Sequence, residues 1–246
     1  MTRSSWCVVL AGLLMAWPIA GLGQRPGVAT QLITLRTEDG VAIAAELHAS
    51  ATARPSPAVI LVHMLTRTRG DWQVLADRLS EAGLAVVGID LRGHGASGTA
   101  ATPPADPEDM TSSLLDVKAA RMFLSGRPDI CSGRVGIAGA QIGANLAIME
   151  AASDPAVRSI ALLSPGMDYR KLRPEAAMKK YAERPALILA STEDAYASRS
   201  ARELAAIGAG VRDLRLVNGA GHGTVMLARQ PALVGVLVDW FRRTLL

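Results

Sequence analysis

The sequence predicts an α/β fold in which helices cover both faces of a mainly parallel sheet, with an antiparallel hairpin at its N-terminal side. Three observations support this prediction. Short, continuous apolar runs recur along the chain, and such runs are typical of strands buried on both faces of a parallel sheet. Segments with the apolar spacing of amphipathic helices separate these runs, which indicates right-handed βαβ units. Before them, two segments of alternating polarity flank an Asp-Gly pair, a strong hairpin signal.

The first half of the chain is predicted to contain the hairpin, two buried strands and two helices. Asp39-Gly40 marks the hairpin turn. Trp72, Leu75 and Leu79 have helical spacing, and Gly83 follows as a C-terminal stop. A Gly-rich turn and a Pro-rich loop precede the second helix. The predicted bounds are 31–37 and 41–49 for the hairpin strands, 57–62 and 84–89 for the buried strands, and 71–82 and 110–125 for the helices.

The second half is predicted to continue the alternation of strands and helices. Apolar runs indicate three further buried strands, and an alternating pattern indicates a last strand before a final amphipathic helix. A short polar insertion at 167–184 separates two of the strands. The predicted bounds are 134–138, 157–163, 186–190 and 211–217 for the strands, and 142–152, 197–207 and 231–246 for the helices.

Composition and charge favour one globular domain without a nucleic-acid partner. Half of the 246 residues are hydrophobic and a fifth are charged, which is enough for one sizeable core. The formal net charge is +4, but basic residues lie among acids, and aromatic residues make up only 4%. Nucleic-acid binding proteins instead cluster their basic residues and use aromatic side chains to stack on bases. We therefore expect residues 24–246 to form a single domain.

The N-terminus has the order of segments found in a secretion signal. Arg3 precedes an apolar run from Trp6 to Ala20, and Gly21-Leu22-Gly23 supplies small residues for cleavage. The sequence therefore predicts a signal peptide over residues 1–23, and a periplasmic or secreted protein with no stable membrane span after cleavage. The alternative is a protein anchored by an uncleaved N-terminal segment.

The stretch Gly139-Ala140-Gln141-Ile142-Gly143 joins a predicted strand to a predicted helix. This is the setting of a nucleophile elbow, in which a nucleophile sits on a sharp turn between two small residues that allow strand and helix to approach closely. Gly139 and Gly143 occupy the two flanking places. Gln141 stands where a serine would be expected, and an amide cannot form an acyl-enzyme.

Two further polar residues follow strands of the predicted sheet. Asp194 follows the strand at 186–190, and His222 lies in a Gly-rich loop after the strand at 211–217. Ligands of open α/β sheets bind beyond the carboxyl ends of the strands. The chain order of nucleophile position, acid and His is that of α/β-hydrolases, and it differs from the orders in chymotrypsin and subtilisin.

From about Gln31 to Leu246 the chain resembles α/β-hydrolases, and in particular small, cap-poor esterases and dienelactone-hydrolase-like enzymes. The resemblance depends on five motifs together: Val62-His63, Asp90-Leu91-Arg92-Gly93-His94-Gly95-Ala96-Ser97, the elbow, Ser191-Thr192-Glu193-Asp194 and Gly221-His222-Gly223. It implies that Gln141 occupies the nucleophile position, Asp194 is the acid and His222 is the base. It also implies that the oxyanion hole is formed by the N–H of Ile142 and that of Met64 or Leu65, although the family commonly has Gly where Met64 stands.

The sequence leaves several alternatives open. Asp194 could serve only to cap the helix predicted from Ala197, in which case Glu193 would be the acid. A substitute nucleophile is a further alternative, and the candidates are Ser97, Ser164 and Ser191. His63 and His94 belong to motifs that shape turns, and His48 is expected at the surface.

Neither a metal nor a cofactor is expected. The four histidines lack H-E-x-x-H or similar spacing, and Cys131 has no cysteine partner once the leader is removed. The basic insertion could steer an anionic ligand towards the site, but a solvated amphipathic helix explains the same residues and is preferred.

These patterns predict a protein of serine esterase ancestry whose covalent hydrolase activity is lost or severely weakened. Its expected partner is a small ester-like or acyl ligand, so the protein would be a pseudoenzyme that retains binding. Two alternatives involve turnover. In one, a hydrolase or lyase-like enzyme uses the His222–Asp194 pair without a covalent intermediate; in the other, a substitute nucleophile acts.

Overall fold

The computed structural model describes residues 29–52, 55–100, 106 and 108–246, and eight strands within them form one sheet in the order β1-β2-β4-β3-β5-β6-β7-β8. The strands are β1 (Thr30–Arg36), β2 (Ala42–His48), β3 (Ser56–Val62), β4 (Ala85–Ile89), β5 (Ile130–Ala140), β6 (Val157–Leu163), β7 (Ala186–Ser191) and β8 (Arg212–Val217). The helices are α1 (Gln73–Glu81), α2 (Leu114–Ser125), α3 (Ile142–Ser153), α4 (Glu175–Tyr181), α5 (Ala195–Ala205), α6 (Val225–Arg229) and α7 (Ala232–Leu245).

The sheet is parallel except at its N-terminal edge. β1 pairs antiparallel with β2, and β2 pairs antiparallel with β4. From β4 to β8 in the sheet, every neighbouring pair is parallel. Along the chain, each strand from β3 to β7 is joined to the following strand by a segment that contains a helix. The predicted α/β fold, with its antiparallel hairpin, is therefore confirmed.

Alternate side chains of the central strands enter two separate cores. In β3, Ala58, Ile60 and Val62 pack into the core covered by α2, α3, α4 and α5. Val59 and Leu61 pack into the core covered by α1 and α7. Because successive strand residues point to opposite faces, this continuous apolar run is the direct result of burial on both sides.

His48 corrects the expectation of a surface histidine. Its exposed fraction is only 2%, because β2 lies inside the sheet between β1 and β4. The ring nitrogens lie 3.5 Å from a carboxylate oxygen of Glu46 and 3.2 Å from one of Asp77 on α1. The sequence showed a hairpin strand but did not show that β4 would cover its second strand.

The insertion at 167–184 contains α4, and most of its basic side chains are paired. Among the described residues, Arg170 pairs with Glu108, Lys171 with Asp106 and Asp109, Arg173 with Asp168, and Lys179 with Glu175. Arg184 donates to the carbonyl oxygens of Asp154 and Val157. This pairing favours the structural interpretation of the basic residues over the steering of an anionic ligand.

The helices of the described ranges are all too short or too polar to cross a membrane. The predicted signal peptide at residues 1–23 lies outside those ranges.

Candidate active site

Gln141 forms a strained turn between β5 and α3. Its φ and ψ are 52° and −113°, a combination that costs a residue with a side chain about 1–3 kcal/mol and persists only where its surroundings hold it. Backbone hydrogen bonds to β6 and to the first turn of α3 hold it here. The N–H of Gln141 donates to the carbonyl of Leu163 at 2.9 Å, and its carbonyl accepts from the N–H of Ala144 at 3.0 Å. The nucleophile-elbow geometry is therefore present around a glutamine.

The two flanking glycines allow the backbone segments to approach closely. A Cβ on Gly139 would lie 2.0 Å from the carbonyl oxygen of Gly143, and a Cβ on Gly143 would lie 2.3 Å from that of Val62. Real Cβ atoms are never found at such distances. Glycine is therefore required at both places because β3, β5 and α3 cross without room for a side chain.

The side chain of Gln141 reaches the predicted oxyanion hole. Its Oε1 accepts a hydrogen bond from the backbone N–H of Leu65 at 3.0 Å. Ile142 is the first residue of α3, so its N–H is among those without an acceptor inside the helix. Of the two donors left open by the sequence, Leu65 and not Met64 points to this oxygen. The thioether of Met64 instead lies against Gly223.

His63 shapes the loop that presents the Leu65 N–H. Its ring is buried. Nδ1 donates to the carbonyl of Met64 at 2.7 Å, and Nε2 accepts from the N–H of Leu91 at 2.9 Å. Burial lowers the pKa of His63, which favours the neutral ring that these two bonds require. His94 stacks at a tilt against it, with 5.2 Å between the ring centroids.

Asp194 and His222 form a hydrogen-bonded pair. Nδ1 of His222 bonds to Oδ2 of Asp194, which leaves Nε2 free to act as a base. Oδ1 of the same carboxylate accepts from the N–H of Ala197 at 3.0 Å and caps α5. Asp194 therefore makes both contacts that the sequence left as alternatives, one with each carboxylate oxygen.

Glu193 points into the loop before His222 instead of towards the imidazole. Its carboxylate accepts hydrogen bonds from the hydroxyl of Ser191 and, at 2.8 Å, from the N–H of Gly219. These bonds, with that from Ser191 first, lower the pKa of Glu193 to about 2. The carboxylate thus fixes the start of the loop that carries His222.

Replacing Glu193 by Gln is expected to lower the thermal midpoint at pH 7. Because the folded-state pKa is about 2 against an ordinary value of 4.5, the wild-type carboxylate contributes stability above about pH 4.5 and loses it as the pH falls towards 2. The difference in thermal midpoint between the wild type and Glu193→Gln should therefore become smaller as the pH falls from about 4.5 towards 2. Thermal unfolding followed by circular dichroism at pH 7, 4 and 2.5 tests this, and a constant difference would contradict it.

The hydroxyl groups of the three candidate serines form hydrogen bonds to backbone groups of loops and strands. Ser97 Oγ donates to the carbonyl of Asp90 at 2.6 Å and accepts from the N–H of Ala44 at 2.8 Å. Ser164 Oγ accepts from the N–H of Gly223 at 2.9 Å. Ser191 accepts from the N–H groups of Ala220 and Gly221 at 3.2 and 3.3 Å. The last two serines therefore position the loop that carries His222.

This loop lies directly against the elbow. A Cβ on Gly223 would be 2.4 Å from Sδ of Met64 and 3.7 Å from Cβ of Ala140. Gly223, the residue after His222, therefore lies against Met64, which precedes Leu65, and against Ala140, which precedes Gln141. The structure places the elbow, the predicted oxyanion donor and the loop that carries His222 side by side, although their catalytic roles stay predictions.

Tyr169 is a residue of the site that the sequence did not single out. Its ring stands perpendicular to that of His222 with 6.4 Å between centroids, and it meets Tyr196 edge to face at 5.4 Å. Asn145 on α3 fixes the preceding turn, since its amide donates to the carbonyl of Gly166 at 2.8 Å. Burial raises the pKa of Tyr169, so the phenol is neutral. Its only sequence signal was its place shortly after the end of β6.

Within the described ranges, no group of three or more His, Cys, Asp or Glu side chains is arranged to hold a metal ion.

Solved structures with this fold include several hydrolases. A dienelactone hydrolase from Anabaena variabilis has a TM-score of 0.70 and 18% identity, covering 89% of this chain and all of that one. An esterase from Pyrococcus furiosus has a TM-score of 0.71 and 17% identity, covering 89% and 92%. A predicted CIB-like hydrolase from Thermoplasma acidophilum has a TM-score of 0.70 and 23% identity, covering 88% and 100%. At these identities the likeness shows the fold alone.

No curated protein matches the chain in sequence. A family model, described as serine aminopeptidase S33, matches residues 53–184. The match covers more than half of the chain and runs from β3 through the elbow to α4, ending before Asp194 and His222. The chain therefore belongs to this family of α/β-hydrolases.

Proposed function

We propose that this protein has lost, or retains only weakly, the covalent serine mechanism of its family, and that it binds a small ester-like or acyl ligand at the former active site. Its ancestry is that of esterase-like α/β-hydrolases, and the esterase and dienelactone hydrolase with the same fold suggest carboxylic esters as the ancestral substrates. One observation carries the proposal. The carboxamide of Gln141 occupies the nucleophile position, and its oxygen accepts the N–H of Leu65 at 3.0 Å.

This arrangement has two chemical consequences. A carboxamide offers no hydroxyl or thiol that His222 could activate, so an acyl-enzyme cannot form at residue 141. In addition, Oε1 accepts from the donor that would otherwise stabilise the oxyanion of a substrate. A ligand carbonyl must therefore displace Oε1 from Leu65, or accept from the Nε2 hydrogens of Gln141 instead.

The magnitude of the expected loss is large. Removing the serine of a catalytic triad lowers kcat by roughly 10⁶, whereas the oxyanion hole and binding still leave about 10³–10⁴ over water. Weak hydrolysis of activated esters is therefore compatible with the proposal. Covalent labelling distinguishes the mechanisms better than turnover does.

The purified protein is expected to form no stable adduct with a phosphonofluoridate probe, because its candidate serines hold loops and none stands at the elbow. Intact-mass spectrometry before and after exposure measures this, and the Gln141→Ser variant under the same conditions is the positive control. A stable adduct on Ser97, Ser164, Ser191 or any other serine of the wild-type protein would overturn the proposal and identify the nucleophile.

A second candidate function is supported by the intact Asp194–His222 pair. Asp194 binds Nδ1 and so orients the imidazole, which leaves Nε2 able to activate water or to abstract a substrate proton without a covalent intermediate. The phosphonofluoridate probe would label neither such an enzyme nor a protein that only binds its ligand. It would differ in showing turnover that His222→Ala abolishes.

A further inference from the structure

The side chain of Gln141 has the covalent geometry of an acylated serine. In an acyl-enzyme, the serine Cβ and Oγ are followed by the acyl carbon and its oxygen; in glutamine, Cβ and Cγ are followed by Cδ and Oε1. With an amide nitrogen as the last substituent, Gln141 corresponds atom for atom to a carbamoylated serine in which a methylene replaces Oγ. Its Oε1 also accepts from an oxyanion-hole N–H, that of Leu65, as the oxygen of an acyl group would.

The groups that promote deacylation, the hydrolysis of an acyl-enzyme by water, are also present. In that step water is the nucleophile, so no hydroxyl of the protein is needed, and a histidine oriented by an acid takes the proton of the water. His222 bonds to Asp194 through Nδ1, and its loop lies against Ala140 and Met64. Its side chain is 34% exposed, and it borders an open depression of about 500 Å³. Water therefore reaches the imidazole.

We propose that the protein hydrolyses the carboxamide of its own Gln141. The oxygen of a water molecule bonds to Cδ while Nε2 of His222 takes a proton from that water. The negative charge that develops on Oε1 is stabilised by the N–H groups of Leu65 and Ile142. His222 then returns the proton to the amide nitrogen, the C–N bond breaks and ammonia leaves. Residue 141 becomes a glutamate, and water is the only reactant consumed.

This inference rests on the proposed roles of His222, Asp194 and Leu65 at the site. The product is compatible with the same pocket, since a carboxylate oxygen accepts more strongly than an amide oxygen from the N–H of Leu65. The described part of the chain also provides internal references. Gln31 and Gln73 are exposed; Gln31 lies on β1, at the opposite edge of the sheet from β8, and the side chain of Gln73 bonds to Asp77 of its own helix.

The test is incubation of the purified full-length chain in ¹⁸O-labelled water at pH 8, followed by peptide mapping. Conversion at Gln141 to an α-linked glutamate that carries one ¹⁸O is expected to be at least about 100-fold faster than at Gln31 or Gln73, a fraction of the 10³–10⁴ that an oxyanion hole and binding supply. Conversion at the rate of the two exposed glutamines would overturn the proposal.

Two variants separate catalysis by the site from spontaneous chemistry. Asp194→Asn keeps an oxygen that can cap α5 but removes the carboxylate that orients His222, and His222→Ala removes the base. Both are expected to lower the rate at Gln141 by about 100-fold, to that of Gln31, while circular dichroism shows that Asp194→Asn is folded. An unchanged rate in either folded variant would overturn the proposal, as would a γ-linked glutamate, which indicates attack by the backbone nitrogen of Ile142. The phosphonofluoridate test is independent, because a stable Gln141 without a serine adduct would refute only the self-hydrolysis.

Discussion

Replacing Gln141 by Ser is expected to raise activity on short-chain activated esters by at least about two orders of magnitude over the wild-type protein, a fraction of the roughly 10⁶ that a triad serine contributes. Three features of the site support this expectation. The elbow already holds residue 141 in the strained conformation that a nucleophile requires. The substitution removes the oxygen that occupies Leu65 N–H. His222 is already paired with its acid. Since Ser is smaller than Gln, the change should not overpack the site.

Gln141→Ala is the matched control for this prediction, because it frees the N–H of Leu65 in the same way but supplies no hydroxyl. Stopped-flow measurement with an activated acetate ester should show a burst with Gln141→Ser and none with Gln141→Ala. Adding His222→Ala to Gln141→Ser should remove most of the gain. A Gln141→Ser protein with an unchanged thermal transition, no probe labelling and no burst would mean that the pair and the oxyanion donors are not arranged for acyl transfer.

The sheet and the elbow could be predicted from the sequence because their signals are local. The β3 run is apolar at successive positions because it is buried on both faces. Glycine is required at positions 139 and 143 because β3, β5 and α3 cross closely there. The strand bounds at Val157–Leu163 agree with the prediction because a proline lies close to each end of this run, Pro155 before it and Pro165 after it.

The remaining features depend on contacts between distant parts of the chain. The choice of Leu65 over Met64 as donor follows from the loop that His63 and Leu91 fix across 28 positions. Tyr169 reaches His222 from a loop 53 positions earlier in the chain, so no local pattern marks it as part of the site. The helix α6 is only five residues long, which is too short for a recognisable apolar period.

Asp194 shows that one residue can make two contacts that the sequence presents as alternatives. From the sequence, capping α5 and pairing with His222 are alternative roles for Asp194, yet one carboxylate makes both contacts because its two oxygens point to different elements. A residue type at a given position in the chain indicates which bonds are chemically available. How many of them form is decided by the packing of α5 beside the His222 loop.

The largest effect on stability is expected from Gly139→Ala. The new Cβ would lie 2.0 Å from the carbonyl oxygen and 2.3 Å from the carbonyl carbon of Gly143. Both are backbone atoms at the first turn of α3, whose position is fixed by the crossing with β3. Because no flexible side chain can move aside, we expect a loss of about 3 kcal/mol or more in the free energy of unfolding, at the upper end of overpacking substitutions. This corresponds to a fall of about 6–12 °C in the thermal midpoint for a chain of this size.

Gly235→Ala provides the matched control, because the same methyl group would meet no atom within 4 Å there. Gly235 lies inside α7, where alanine is favoured over glycine by roughly 0.5–1 kcal/mol, so this variant should be as stable as the wild type or slightly more so. Urea unfolding of both variants measures the two effects against the same baseline. Equal stability of Gly139→Ala and Gly235→Ala would show that β5 and α3 do not cross as closely as the elbow requires, and the strained conformation of Gln141 would then lose its structural basis.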